Sequence, residues 1–343
     1  MMGNILDVFN NDAFKLRSMC EAINKIPPMF NYLGSEGVFK EQGSSSTTVA
    51  IEENQGKLSL IPNTQRGSRG FSILPDKRKM RAFMCSHKQI NDEILADQVL
   101  GVRRFGSETE METPAQKVAE KLETAQNSME VTLEYMRLGA VKGQVLDADG
   151  ETVITDLFSE FGVQQRTDEW EIDKKDSSGN YIDGYIKTKC NQLIRQTARI
   201  LGGTTFNGFD ILCGNDFFDA IENSKEIRNV YHNTPGYDWL TEKHTFRYFN
   251  YAGVRFVNYM GWIGDRDFID PGEGYALPRG VDGLFTMVFG PADYIEAVNS
   301  VGIKSYAKLE RLPFDKGIMI ECQTNPLALC TRPDVLCKFT FKA

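Results

Sequence analysis

The sequence predicts a mixed α+β fold. Three observations predict it: one long amphipathic helix over residues 115–138, a strand–turn–helix passage from Phe209 to about Asn223, and β-like runs between Ser305 and Phe341. The helix is the clearest. Val118, Leu122, Ala125, Met129, Leu133 and Met136 recur at helical spacing and lay one apolar stripe along it. Thr113-Pro114-Ala115-Gln116 opens it as a capping box with proline at the first helical position, and Gly139 or Gly143 ends it. Glu120, Lys121, Asn127, Glu130 and Glu134 fall on the opposite side and are expected in solvent. At 1.5 Å per residue the rod is roughly 36 Å long, enough to lie as a spine across a sheet.

The other elements follow in order. Ile5 to Ile26 reads as an amphipathic helix stopped by Pro27-Pro28. Val49-Ala50-Ile51-Glu52-Glu53, the turn Asn54-Gln55-Gly56 and Lys57-Leu58-Ser59-Leu60-Ile61 read as a β-hairpin. Its apolar content is thin, and an isolated two-stranded hairpin is marginal in water, so it is expected to lean on another part of the fold or on a neighbouring chain. Arg66 and Arg69 sit in its polar return. A second hairpin turns at Asp147-Ala148-Asp149-Gly150. Thr167 to Tyr185 reads as loop-rich and Lys187 to Leu201 as a helix ended by Gly202-Gly203. Another hairpin turns at Ala252-Gly253, and the Gly-, Pro- and Asp-rich tract Gly261 to Gly283 reads as surface loop. Ser305 to Leu309, Gly317 to Gln323 and Val335 to Phe341 read as strands.

Composition narrows the function. The 343 residues suit about two domains. At 41% hydrophobic and 25% charged, the balance is that of a globular protein. A net charge of −8 argues against a tight electrostatic grip on nucleic acid. The seven cysteines are scattered with no C-x-x-C, which points to free thiols packed as small hydrophobes in a reducing cytosol. No basic and apolar leader opens the chain, and no apolar run approaches the roughly 20 residues needed to span a bilayer, so no membrane role is expected.

Catalytic constellations are missing. His87, His232 and His244 are not at metal-site spacing, and no G-x-S-x-G or phosphate loop occurs. Gly202 to Gly208 is glycine-rich but follows a helix and precedes a strand, the reverse of a phosphate loop. Val145 to Asp156 fails as a calcium loop because, with Gly150 as its sixth position, Val145 and Asp156 occupy the first and twelfth. Acidic pairs such as Glu52-Glu53, or Asp265 with Asp267, are expected to be solvated loop charges. No cofactor and no metal are expected.

Several stretches resemble one family. Asp7-Val8-Phe9 with Asp12-Ala13-Phe14, the run Val49 to Glu53, Val102-Arg103 to Phe105-Gly106, Thr132 to Gly143 leading into Asp147-Ala148-Asp149-Gly150, and Phe161-Gly162-Val163 are similar to the lambda-type major capsid proteins, the phage capsid E family. So are Leu212 to Ala220, Pro291 to Glu296, and Gln323-Thr324-Asn325-Pro326-Leu327-Ala328-Leu329-Cys330 with Arg332-Pro333. The resemblance implies the Hong Kong 97-type capsid fold. It assigns 1–34 to an N-terminal arm, 35–86 to an E-loop, 87–165 to a P-domain with the spine helix, 166–298 to an A-domain and 299–343 to return strands of the P-domain.

What the resemblance implies about function is self-association. Pentamers and hexamers of the chain would close an icosahedral shell around double-stranded DNA, in a virion assembled in the bacterial cytoplasm. The E-loop would lie over a neighbour's spine helix. The implied contact residues are Val49, Ile51, Glu52, Glu53, Lys57, Leu58, Leu60, Arg66 and Arg69 on the loop, facing Glu120, Glu123, Glu130 and Glu134 on the helix. Deleting Ser46 to Asn63 would then leave a folded, assembly-defective subunit. The chain starts at the arm, so a separate scaffolding protein is expected, with a portal protein, a decoration protein and weak non-specific contact with packaged DNA. An encapsulin-like compartment, which shares the fold and encloses protein, is the alternative; a cytosolic enzyme with an unrecognised site is the other.

Overall fold

The computed structural model describes residues 16–25, 31–53, 79–99, 114–202, 204–232 and 247–342. The helices are α1 (Leu16–Ile23), α2 (Tyr32–Ser35), α3 (Ala96–Val99), α4 (Pro114–Lys142), α5 (Leu157–Phe161), α6 (Tyr185–Leu201), α7 (Asn215–Glu222) and α8 (Lys225–His232). The strands in the first part of the chain are β1 (Lys40–Gly43), β2 (Thr48–Glu53), β3 (Lys79–Met84), β4 (Lys88–Leu95), β5 (Gln144–Leu146), β6 (Val153–Asp156), β7 (Arg166–Glu171) and β8 (Gly208–Cys213). The rest are β9 (Tyr248–Tyr251), β10 (Val254–Asn258), β11 (Trp262–Ile263), β12 (Arg266–Asp267), β13 (Glu273–Arg279), β14 (Phe285–Phe289), β15 (Tyr306–Arg311), β16 (Gly317–Thr324), β17 (Pro326–Cys330) and β18 (Cys337–Lys342).

The chain divides into two compact units. The first comprises residues 1–50, 82–137 and 286–328. Its centre is the antiparallel sheet β15-β16-β4, on which α4 and α1 lie. Val118, Leu122, Ala125 and Met129 of the helix stripe pack with Met19 and Ile23 of α1 and with Ile94, Ala307 and Ile320 of the sheet. The predicted spine helix is therefore real and longer than its stripe suggested: 29 residues, about 43 Å at the helical rise. Thr113, the expected cap, lies outside the described residues. A further sheet has the order β1-β14-β17, with β1 parallel to β14.

The second unit comprises 51–81, 138–285 and 329–343. Its frame is the six-stranded sheet β7-β18-β13-β8-β10-β9, with parallel and antiparallel pairs mixed. Trp170, Phe209, Phe217, Phe256 and Phe339 fill the core on which the sheet and α6 and α7 meet. Trp170 meets the Phe339 ring edge-on at 5.2 Å, and Phe249 stacks on Phe256 at 5.0 Å.

Three sequence expectations change here. The tract Gly261 to Gly283 is not all loop: it holds the hairpin β11–β12 and the central strand β13, whose residues Gly274 to Pro278 are buried. A strand paired on both sides can carry Gly and Pro where packing demands it. Gly274 has no room for a Cβ against Phe217, and Pro278 lies beyond Ala276, the last residue matched with β18. Thr167 to Tyr185 likewise opens with strand β7, drawn in by burial of Trp170. The final strand β18 belongs to the second unit's sheet, between β7 and β13, and 286–298 belong to the first unit, so the boundaries at 298/299 and the grouping of 299–343 differ from those expected.

The turn residues behave as their chemistry dictates. Ala252 and Gly253 both take positive φ, 49° and 80°, as a two-residue hairpin turn requires. At the β5–β6 turn, Asp149 accepts from the Glu151 and Thr152 N–H groups and the Thr152 hydroxyl, which together bring its carboxyl down to about 2. A pKa held below the unfolded value adds stability above that unfolded value, lost as pH falls through the folded one. The turn is therefore expected to keep its hydrogen bonds down to about pH 2. Loss of the Thr152 amide chemical shift already near pH 4 in an NMR titration would contradict this.

Candidate assembly surfaces

Among the described residues no cluster of His, Cys, Asp and Glu could hold a metal ion. No helix among the described residues is long and apolar enough to cross a membrane. All seven cysteines are buried and none is paired in a disulfide. Burial pushes the Cys190, Cys322 and Cys330 thiols up to about 12, so they are inert as nucleophiles. His87 is tied between Asn325 at 2.8 Å and Gln89 at 3.2 Å. The Asp147–Gly150 segment is a hairpin turn whose carboxylates accept local N–H groups.

The spine helix carries the first surface of interest, and it is not the one expected. Gln126, Glu130, Glu134 and Arg137 form a second buried stripe beside the apolar one. Glu130 and Glu134 are thus not solvent-facing acids available to a neighbour. Glu134 is fully buried and accepts the Leu33 N–H at 2.7 Å. Glu130 accepts from Gln126 and is paired with Lys304 at 2.5 Å. Arg137, also fully buried, donates to Asn31 at 2.9 Å and to Glu41 at 2.7 Å, and lies 3.5 Å from Glu134. These charges bind residues 31–41 and Lys304 onto the helix within the subunit. A buried charge must find partners of this kind, because desolvating it alone costs several kcal/mol.

Glu120 and Glu123, by contrast, are exposed. They share the amino-terminal half of α4 with Thr124 and Ser128, whose hydroxyls donate back to the Glu120 and Thr124 carbonyls. Glu120 also accepts from Lys117 at 3.2 Å.

The hairpin is the second surface. Among the described residues β2 pairs with β3, more than twenty residues later, and Cys85 N–H closes the ladder on the Thr47 carbonyl. Val49 and Ile51 are half-buried. The side chains of Glu52 and Glu53, and all of Lys57, Leu58, Leu60, Arg66 and Arg69, lie outside the described residues, as does the expected turn at 54–56. On β3 the faces divide at period two. Phe83 is buried and Arg81 is anchored, its guanidinium 4.6 Å above the Phe161 ring and donating to the Glu160 carbonyl. Met80, Ala82 and Met84 form the other face and are largely exposed. A sequence sign of this strip existed in the Met80-x-x-x-Met84 spacing, but without a recognised strand it carried no weight.

The chain as a whole is similar to known proteins. The model of the family described as phage major capsid protein E matches residues 15–341. The major capsid protein of Salmonella phage Felix O1 is 26% identical over 94% of this chain and 95% of that protein. Among solved structures, the putative capsid protein of a prophage of E. coli CFT073 superposes with a TM-score of 0.56 at 12% identity, over 95% of this chain and 99% of that one. The capsid of the Myoviridae phage XM1 does so with 0.51 at 8%, over 92% and 94%. These likenesses establish the Hong Kong 97-type capsid fold and a structural role with no enzymatic one: the chain belongs to the phage major capsid protein E family.

Proposed function

We propose that this chain is the major head protein of a tailed phage and closes, as pentamers and hexamers, an icosahedral shell around double-stranded DNA. The family match over residues 15–341 carries the reading. In it the first unit acts as the P-domain, the second as the A-domain, and β2–β3 with the residues between them as the E-loop. Residues 1–34 act as the arm. The exposed Met80-Ala82-Met84 strip supports the loop's role, since an apolar face on a two-stranded ribbon gains stability by being covered. Glu120 and Glu123 are the acids on the helix that remain for Lys57, Arg66 and Arg69 of a neighbour. Single exposed ion pairs of this kind contribute only about 0–1 kcal/mol, so apolar cover is the main term.

A scaffolding protein, a portal protein and a decoration protein are the further partners of this reading, and assembly takes place in the host cytoplasm. With a net charge of −8 the shell holds DNA only weakly and without sequence preference. Expression in bacteria, followed by nuclease treatment and electron microscopy of purified particles, tests the proposal. Closed shells are expected when the scaffolding partner is co-expressed, and particles from a producing lysogen or infection should protect DNA. Particles that enclose only protein would favour the compartment reading and overturn this one.

A further inference from the structure

The second unit carries an exposed indole beside two carboxylates and, near the other end of its sheet, a helix whose charged side chains are all cations. The indole is Trp262, 65% exposed on the hairpin β11–β12. Its cross-strand partner is Asp267, also exposed, and residues directly opposite in an antiparallel pair share a face. Asp265 is exposed in the two-residue turn, where Gly264 at φ 57° supplies the positive φ. Neither acid is in an ion pair among the described residues. The hairpin's one cation, Arg266, is matched with Ile263 and so lies on the face away from Trp262. There it donates to the Asp149 carbonyl at 2.6 Å, where a Cβ at Gly150 would collide with it. The hairpin is thereby tied to the β5–β6 turn, with its indole and carboxylates held in place and uncovered. An indole face beside carboxylates suits a guanidinium, which stacks on the ring while its N–H groups pair with the acids.

The helix is α6, whose charged residues are Lys187, Lys189, Arg195 and Arg199. In a chain of net charge −8 this is a local reversal of sign. Arg195 and Arg199, one turn apart, are exposed and in no ion pair among the described residues. The acids bonded to the helix are already engaged. Asp168 holds Lys189 at 2.6 Å, and Glu226 accepts from the Ile186 and Lys187 N–H groups and from the Tyr251 hydroxyl. Asp334 stands 3.9 Å from Arg332, which donates to the last carbonyls of α6, and Asp183 lies beyond the helix's opposite end. Two guanidinium groups thus stand without carboxylates, and two carboxylates with an indole stand without a cation.

The two surfaces lie at opposite ends of the six-stranded sheet. The hairpin follows Asn258, matched with Cys213 where β10 and β8 both end. Gln196, between the two arginines in sequence, accepts from Arg166 at 2.8 Å where β7 begins, and β7 runs parallel to β8. At the rise of a strand the two are on the order of 20 Å apart, so one copy cannot bring them together. Phosphate would answer the arginines and leave the indole and its carboxylates uncovered; a second copy of this chain answers both. Two different patches that fit each other make a head-to-tail contact, the kind that closes rings. We propose that Trp262, Asp265 and Asp267 of one subunit receive Arg195 and Arg199 of the next, an intersubunit contact that rests on the capsid reading above.

A charge swap tests it. Arg195→Glu/Arg199→Glu or Asp265→Arg/Asp267→Arg alone sets like charges against each other. Either should cut the yield of shells, made with the scaffolding partner co-expressed, about 10-fold or more. All four side chains are exposed, so the unassembled variants should unfold close to the temperature of the unsubstituted subunit. Both reversals in one chain should restore the shells, which they would not do if α6 met phosphate or another protein. Trp262→Ala should lower the yield with the fold intact. Normal shells from either reversal or from Trp262→Ala, or no recovery in a folded combined variant, would overturn the contact and leave the capsid reading standing. If the unsubstituted chain gave no shells, the capsid reading itself would fall and the contact with it.

Discussion

Arg137→Ala is expected to cost the subunit about 3–5 kcal/mol, the loss typical when one member of a buried ion network is removed. Arg137 is fully buried on α4 and supplies the cation for Glu134, equally buried, and for Glu41. It also holds Asn31, which in turn donates to Glu130. Truncation leaves the Glu134 carboxylate in the interior without its cation and loosens residues 31–41 from the spine helix. Glu41 is partly exposed and can be solvated, so most of the loss traces to Glu134. The double variant Arg137→Met/Glu134→Leu should regain much of the stability, because well-packed apolar side chains avoid the desolvation penalty that the ions bear. Urea unfolding of the unassembled subunit measures both. An Arg137→Ala midpoint equal to that of the unsubstituted chain would show that the network does not hold the arm-side residues in place.

Met80→Glu/Met84→Glu is expected to abolish shell formation while leaving the subunit folded. Both side chains sit on the uncovered face of β3 and contribute little to the isolated subunit, where surface changes usually stay within about 0.5 kcal/mol. In the proposed shell the same face is covered. Full burial of a methionine side chain is worth about 1.5–3 kcal/mol, and a carboxylate in its place adds a desolvation penalty at every copy of the contact. Sizing chromatography and circular dichroism of the variant should show folded, unassembled subunits. Normal shells would mean that this strip is not part of a contact.

How the sequence conveyed the fold depends on where each element finds its partner. The helix stripe from Val118 to Met136 and the turn at Ala252-Gly253 are local signals and reappear in the structure. The second stripe of α4 was hidden because Gln126, Glu130, Glu134 and Arg137 have the polarity of a solvated face, and periodicity cannot distinguish a buried ion network from one in water. Strand β13 was hidden because its stability comes from β8 and β18 on either side and not from its own composition. Among the described residues the partner of β2 is β3; the expected run 57–61 lies outside them, and strand pairing leaves no local mark of distance by which β3 could have been read. The exposed strip on β3 stayed unread with it. What the ordered resemblance to capsid proteins supplied was the function, which no single residue pattern in the chain announces.

Electron cryomicroscopy of purified particles should show closed icosahedral shells built from this chain, with the Met80–Met84 strip of each hairpin covered by the neighbouring subunit along its spine helix. A chain that stays monomeric under assembly conditions, or shells in which that strip faces solvent, would contradict it.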